Sequence, residues 1–78
     1  MSVTVLYFAT LRDAAGVSSE QVARPASLRE LYATVAERHD FKLPIGRLRV
    51  SMNGEFCDWE HPVLDGAEVA FLPPVSGG

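Results

Sequence analysis

The segment that most constrains the fold is the end of the chain, where two prolines follow a run of apolar residues. The composition of Glu68 to Leu72 predicts a β-strand, and Pro73 and Pro74 come directly after it. Proline has no backbone N–H and a φ fixed near about −65°, so a hydrogen-bonded strand cannot continue through this pair. We therefore predict a domain over residues 1–72 and a flexible tail over residues 73–78 that begins with a stiff, extended stem.

The tip of this tail is thin, because Gly77 and Gly78 carry no side chains, and it would fit a narrow channel. The group that it presents is the α-carboxylate of Gly78, which is a poor electrophile until an enzyme converts it into a mixed anhydride such as an acyl-adenylate. A sulfur or nitrogen nucleophile can then displace the activating group. Terminal glycines also occur in frayed chain ends without a role. The Pro-Pro stem and the preceding strand favour a functional tail.

Composition limits the class of protein. A chain of 78 residues has room for one domain, and 47% hydrophobic with 22% charged residues is typical of a folded globular protein. The net charge is −3 and the seven Lys and Arg are scattered, which argues against binding to nucleic acid. The first residues have neither the basic region of a signal peptide nor the apolar length of a membrane span. Cys57 is the only cysteine, and we expect a cytoplasmic protein that does not bind membranes.

The amino-terminal part of the chain predicts two paired strands. Val3 to Phe8 is apolar on both alternating faces, as expected of a central strand. Arg12 to Gly16 is predicted to be a loop, and Ser19 to Ala23 a second, weaker strand. Together they suggest a first hairpin.

A helix is predicted to follow from its cap and its apolar stripe. Ser27 and Glu30 match a capping box, in which the hydroxyl accepts a backbone N–H bond and the carboxylate reaches back to the cap. The helix would run from Leu28 to about His39. Its buried stripe has the spacing i, i+3, i+4, i+7 and consists of Leu28, Leu31, Tyr32 and Val35.

A second hairpin is predicted around Asn53-Gly54, because both turn positions tolerate a positive φ. It joins strands at Leu48 to Met52 and Glu55 to Trp59, after a loop at Lys42 to Gly46. With the last strand, the order is strand, strand, helix, strand, strand, strand. This order predicts an α+β fold of the ubiquitin-like β-grasp type, a mixed sheet with one main helix on one face and the first and last strands adjacent. The other face of the sheet must be left apolar or be covered by a partner.

The chain shows no self-contained active site. It has no glycine-rich phosphate loop, and no pair among His39, Cys57 and His61 has the spacing of a zinc site. Cys57 is expected to be a small apolar filler, because nothing nearby in the sequence would lower its pKa. Ser76 has no base beside it and is expected to be a spacer. We therefore expect no metal and no bound cofactor in this chain.

Several motifs resemble those of one family, the small subunits of molybdopterin synthases, which are MoaD-like sulfur carriers of the ubiquitin-like ThiS/MoaD superfamily. The resemblance covers the whole chain and is most specific at its end. The matching motifs are Phe8-Ala9 with Arg12, Asn53-Gly54, His61-Pro62, Leu64-Asp65-Gly66 and Glu68-Val69-Ala70-Phe71-Leu72-Pro73-Pro74-Val75-Ser76-Gly77-Gly78.

The resemblance implies that an adenylating enzyme of the E1-like class activates Gly78 with Mg-ATP and that sulfur then replaces AMP to give a thiocarboxylate. It also implies a heterotetrameric synthase of two carriers and two large subunits, whose catalytic lysines lie on the large subunit and pass the sulfur to a pterin precursor. The tail would enter the large subunit through Pro73, Pro74, Val75, Ser76 and Gly77. Partner docking would use the apolar residues Phe8, Phe56 and Leu72.

Three alternatives remain open from the sequence. The sulfur could be destined for a thiazole or another thio-metabolite, since the partner enzyme determines the end product. The chain could be a ubiquitin-like modifier that is conjugated to lysines through Gly78. It could also be an interaction module with an inert tail, in which case Phe8, Phe56 and Leu72 would be ordinary core or surface residues.

Overall fold

The computed structural model describes residues 1–74. The sequence predictions for Val75, Ser76, Gly77 and Gly78 therefore lie outside the described residues. The elements within this range are β1 (Ser2–Tyr7), α1 (Ala9–Ala15), β2 (Ser19–Ala23), α2 (Leu28–His39), a 3-10 turn (Ile45–Arg47), β3 (Arg49–Met52), β4 (Glu55–Cys57) and β5 (Glu68–Leu72).

The five strands form one mixed sheet in the order β2-β1-β5-β3-β4. β1 and β5 are parallel neighbours, and the other three pairs are antiparallel. The predicted adjacency of the first and last strands is confirmed, and β1 has a neighbour on each side. With α2 against one face, this is the predicted β-grasp fold. In the described part of the chain, neither helix is long and apolar enough to cross a bilayer.

The predicted loop at Arg12 to Gly16 is wrong, because Ala9–Ala15 is a helix. Ala14 and Ala15 are strong helix formers, and Leu11 is buried against the core. Gly16 is the carboxyl-terminal cap of this helix, with a φ of 77° and its N–H donating to the carbonyl of Arg12 at 2.9 Å. At the other end, the capping residue Phe8 makes no side-chain cap bond. The sequence therefore has no polar start signal for α1.

Two strands are shorter than predicted. β3 starts one residue late because Leu48 closes the 3-10 turn, donating its N–H to the carbonyl of Ile45 at 3.0 Å. β4 ends at Cys57, and the chain turns there. Trp59 lies beyond the strand and stacks on the ring of Phe71 with a centroid distance of 5.6 Å. The indole of Trp59 is thus partly buried and packs against the outside of the core.

Helix α2 forms as predicted and packs its apolar stripe into the core. The hydroxyl of Ser27 accepts the N–H of Glu30 at 3.1 Å, which is one of the two bonds of a capping box. Tyr32 meets the ring of Phe71 edge to face at 5.2 Å, and its hydroxyl donates to the carbonyl of Leu43 at 2.6 Å. The predicted stripe is buried in full, namely Leu28, Leu31, Tyr32 and Val35.

The sheet has two different faces because side chains alternate along each strand. The face toward α2 carries the fully buried Val5, Tyr7, Val69 and Phe71. Among residues 1–74, no helix covers the opposite face, which carries the intervening residues, including the half-buried Leu6. The predicted uncovered sheet face is therefore present.

One polar cluster lies at the edge of the core, where the carboxylate of Glu20 on β2 accepts bonds from three side chains. The Tyr7 hydroxyl donates to it, His39 Nε2 lies 2.6 Å from Oε1, and Arg38 Nη1 lies 3.3 Å from Oε2. Burial raises the pKa of Glu20, but the hydrogen bonds from Tyr7 and His39 lower it by more in sum. Burial, followed by the neighbouring carboxylate, raises the pKa of Tyr7, so its hydroxyl remains a donor.

The substitution Glu20→Gln should lower the free energy of unfolding by about 1 to 2 kcal/mol at neutral pH, because Gln makes weaker bonds than a carboxylate. The folded-state pKa of Glu20 lies below its ordinary value of 4.5. The contribution of the Glu20 carboxylate to the free energy of unfolding is therefore present above pH 4.5 and is lost as pH falls through the folded-state pKa. Urea denaturation followed by Trp59 fluorescence between about pH 6 and about pH 3 measures this.

The exposed Glu37 of α2 offers a matched control, since Glu37→Gln removes the same charge outside the cluster. Its effect on the free energy of unfolding should be small. An equal loss of stability in the two variants at every pH would contradict the role assigned to Glu20.

Candidate carrier tail and docking face

The root of the tail is fixed by β5, which is the middle strand of the sheet. β1 pairs with one edge of β5, placing Tyr7 opposite Phe71, and β3 pairs with the other, placing Arg49 opposite Leu72. The strand ends at Leu72, as the following prolines predict. The chain therefore leaves the sheet from a position that is held on both sides.

Pro73 and Pro74 line a groove of about 1060 Å³ beside the end of β5. Pro73 is half-buried and Pro74 is exposed. This groove also contains all three residues that the family resemblance assigned to partner docking, namely Phe8, Phe56 and Leu72. The structure brings these residues together from the end of β1, from β4 and from β5.

These three residues are accessible rather than part of the core. Phe8 is 43% exposed and Phe56 is 59% exposed, while Leu72 is half-buried. Two further apolar residues, Leu6 and Ala70, line an adjoining depression of about 250 Å³ that shares the three docking candidates. We refer to Leu6, Phe8, Phe56, Ala70 and Leu72 as the docking face. Exposed aromatic residues clustered in this way are typical of a protein-binding surface.

Sequence reasoning missed two arginines of the groove, Arg47 and Arg49. The Cζ atom of Arg49 lies 4.1 Å from the centroid of the Phe56 ring, a cation–π contact across β3 and β4. The signal for it was available, because the Asn53-Gly54 turn sets the register that pairs Ser51 with Phe56. Arg49 lies two residues before Ser51, and therefore on the same face.

The surroundings of the cysteine and of the two histidines are defined in the structure. Burial, and secondarily the charge of Asp58, raise the pKa of the Cys57 thiol, which makes it a weak nucleophile. His39 is engaged by Glu20, and His61 Nδ1 lies 2.8 Å from the carbonyl oxygen of Pro62. Within residues 1–74, no group of three His, Cys, Asp or Glu could hold a metal ion.

Comparison with known sequences identifies relatives along the whole chain. The sequence model of the ThiS family matches residues 5–78. The molybdopterin synthase sulfur carrier subunit of Escherichia coli (strain K12) is 36% identical over 80 residues, an alignment that covers 97% of this chain and 99% of that subunit.

Comparison with solved structures finds the same fold. SAMP1 of Haloferax volcanii, the small archaeal modifier protein 1, superposes with a TM-score of 0.79 at 26% identity, with all of both chains covered. A chain of the complex of subunits 1 and 2 of the molybdopterin-converting factor from Helicobacter pylori 26695 gives a TM-score of 0.71 at 28% identity, again over the full length of both. From the family match and the identity to the Escherichia coli subunit, this chain belongs to the ThiS family.

Proposed function

We propose that this chain is the sulfur-carrier small subunit of a molybdopterin synthase. The observation that carries the proposal is its full-length similarity to the Escherichia coli carrier subunit together with a middle strand, β5, that leads directly into the Pro-Pro stem. The family match also extends through Gly78. A carrier needs a positioned tail root and a surface for partners, and the groove beside the end of β5 is suited to be that surface.

The chemistry takes place at the α-carboxylate of Gly78. An adenylating enzyme of the E1-like class holds Mg-ATP, and the carboxylate displaces pyrophosphate to form an acyl-adenylate. A sulfur nucleophile then displaces AMP, leaving a thiocarboxylate. Transfer of the sulfur to the pterin precursor and hydrolysis with water regenerate the carboxylate. This chain supplies the carboxylate, and the partners supply the groups that move protons and stabilise charge.

The proposed assembly contains two carriers and two large subunits. The catalytic lysines lie on the large subunit, and the tail residues Pro73, Pro74, Val75, Ser76 and Gly77 occupy its channel. The likeness to a solved complex of subunit 1 with subunit 2 supports the pairing. Because activation consumes ATP, we place the cycle in the cytoplasm.

The docking face holds the partner at the root of the tail. Phe8, Phe56 and Leu72 line the same groove as Pro73 and Pro74, so a partner bound there is held beside the stem. Exposed aromatic side chains provide a large apolar area to bury, which is a common source of binding energy at interfaces. Docking and tail insertion are thereby coupled through β5.

A second candidate function is that of a protein modifier, favoured by the structural likeness to SAMP1. In that case Gly78 would form isopeptide bonds with lysines of other proteins after the same activation. Purification from cells under denaturing conditions would retain such adducts. Thiocarboxylate formation without adducts would favour the carrier function.

Deletion of Gly78 should abolish thiocarboxylate formation, because Gly77 would then end the chain one residue short of the partner's active site. Incubation with the adenylating enzyme, Mg-ATP and a sulfur donor, followed by mass spectrometry of the whole protein, measures the exchange of one oxygen for sulfur. The variant Cys57→Ser is the matched control and should exchange normally. A sulfur atom that is added rather than exchanged, and that disappears in Cys57→Ser, would contradict the proposal.

Replacement of Phe56 by Ala should weaken binding to the synthase large subunit about tenfold or more, because it removes an exposed aromatic anchor. Its effect on folding stability should be small, since the ring is 59% exposed in the free chain. Titration calorimetry and thermal unfolding measure the two effects. Val17→Ala, at a residue that is 44% exposed and does not line the groove, is the control and should leave the affinity unchanged. Equal affinities of Phe56→Ala and the unmodified chain would rule out a docking role for Phe56.

A further inference from the structure

We propose that Arg47 and Arg49 form a cationic rim that binds carboxylate side chains on the large subunit, so that the docking face selects a partner with an acidic edge. This inference rests on the proposed function, because it specifies the chemistry of the partner at the same surface. Neither arginine was singled out by the sequence motifs.

The charge of the groove is opposite to that of the whole chain. The chain carries a net charge of −3, yet Arg47 and Arg49 are the only charged residues that line the groove in the described part of the protein. Both are exposed. Across residues 1–74, the ion pairs involve Arg29, Arg38, His39 and Lys42 as the cations. The two rim arginines therefore have no acidic partner among the described residues.

The contact with Phe56 orients Arg49 for binding. A guanidinium stacked on an aromatic ring has its flat face covered, while its N–H donors point outward in the plane. The Cζ atom of Arg49 lies over the ring of Phe56, 4.1 Å from its centroid, and the guanidinium has no acidic partner among the described residues, so its donors are available for a bidentate bond to a carboxylate. The side chain is thus ordered before the partner arrives, which reduces the entropy lost on binding.

The position of the two arginines at one end of the docking face determines the orientation in which a partner can bind. Arg49 pairs with Leu72 at the tail end of β5, whereas the exposed Glu68 lines the opposite end of the same face. The two positions on β5 are four residues apart, or roughly 13 Å along the strand. A partner with an acidic edge can satisfy the arginines in one orientation only. That orientation places its channel beside Pro73.

The surroundings favour a protein carboxylate over a phosphate group. Phe8, Phe56 and Leu72 adjoin the arginines, an arrangement with an apolar centre and a charged rim that is typical of protein interfaces. A nucleotide phosphate would use the rim alone and leave the apolar centre in water. Adenylation kinetics can distinguish these two occupants.

The test measures binding of the synthase large subunit from the same organism at several salt concentrations. Arg49→Gln and Arg47→Gln should each weaken binding about tenfold at low salt, and the affinity should then depend less on salt. Arg24→Gln is the matched control, since Arg24 is exposed, lies outside the groove and follows β2 at the opposite end of the sheet from the tail. It should leave both the affinity and its salt dependence unchanged. Circular dichroism verifies that each variant is folded.

Arg49→Lys provides a second measurement, because it keeps the positive charge and removes the planar guanidinium with its paired N–H donors. It should bind more weakly than the unmodified chain and more tightly than Arg49→Gln. Unchanged affinity and salt dependence in both glutamine variants would overturn the inference while leaving the proposed function intact. A change confined to the ATP dependence of adenylation would overturn it in favour of phosphate binding. Failure of the unmodified chain to bind the large subunit at all would overturn the proposed function as well.

Discussion

The parallel pairing of β1 with β5 determines where the tail leaves the domain. Parallel neighbours need a long crossover, and here the whole chain between Tyr7 and Glu68 provides it. Because β3 pairs with the other edge, β5 is bonded on both sides up to Leu72. A terminal segment would ordinarily fray. In this fold the last strand is instead the middle strand, so the residue that precedes the stem is held by the entire sheet.

The same pairing places the core residues of β5 on one face of the sheet and its docking-face residues on the other. A shift of one residue in the register of β5 would expose Phe71 and Val69 and turn Leu72 and Ala70 toward α2. The buried aromatic contacts of Phe71 with Tyr32 and Trp59 oppose such a shift. The core therefore specifies the register, and the register specifies the docking face. Phe8 and Phe56 on that face can change with the partner at little cost to folding, since both are exposed.

The elements that were predicted from the sequence have local signals. Ser27 marks the start of α2, Asn53-Gly54 marks the hairpin, and Pro73 marks the end of β5. Helix α1 has no such signal at its start, where Ala9 adopts a φ of 52° that its residue type does not suggest.

Contacts between distant segments were likewise missed. The cluster of Tyr7, Glu20 and His39 joins three separate elements, and the stack of Arg49 on Phe56 depends on a register that was not worked out in advance. The gathering of Phe8, Phe56 and Leu72 was expected from the family resemblance, and periodicity alone gave no reason to join them. Their docking role remains a prediction.

In the proposed cycle, the stiff stem and the docking face both reduce the entropy cost of inserting the tail into a channel. Ordering one residue in a channel costs about 1 to 2 kcal/mol, and Pro73 and Pro74 reduce this cost because their φ angles are already fixed. Docking at the root reduces it further by making entry of the tip an intramolecular step with a high effective concentration. In the proposed cycle, an adenylating enzyme and a large subunit would both use the root of the tail and would therefore compete for one face, so that loading would precede delivery.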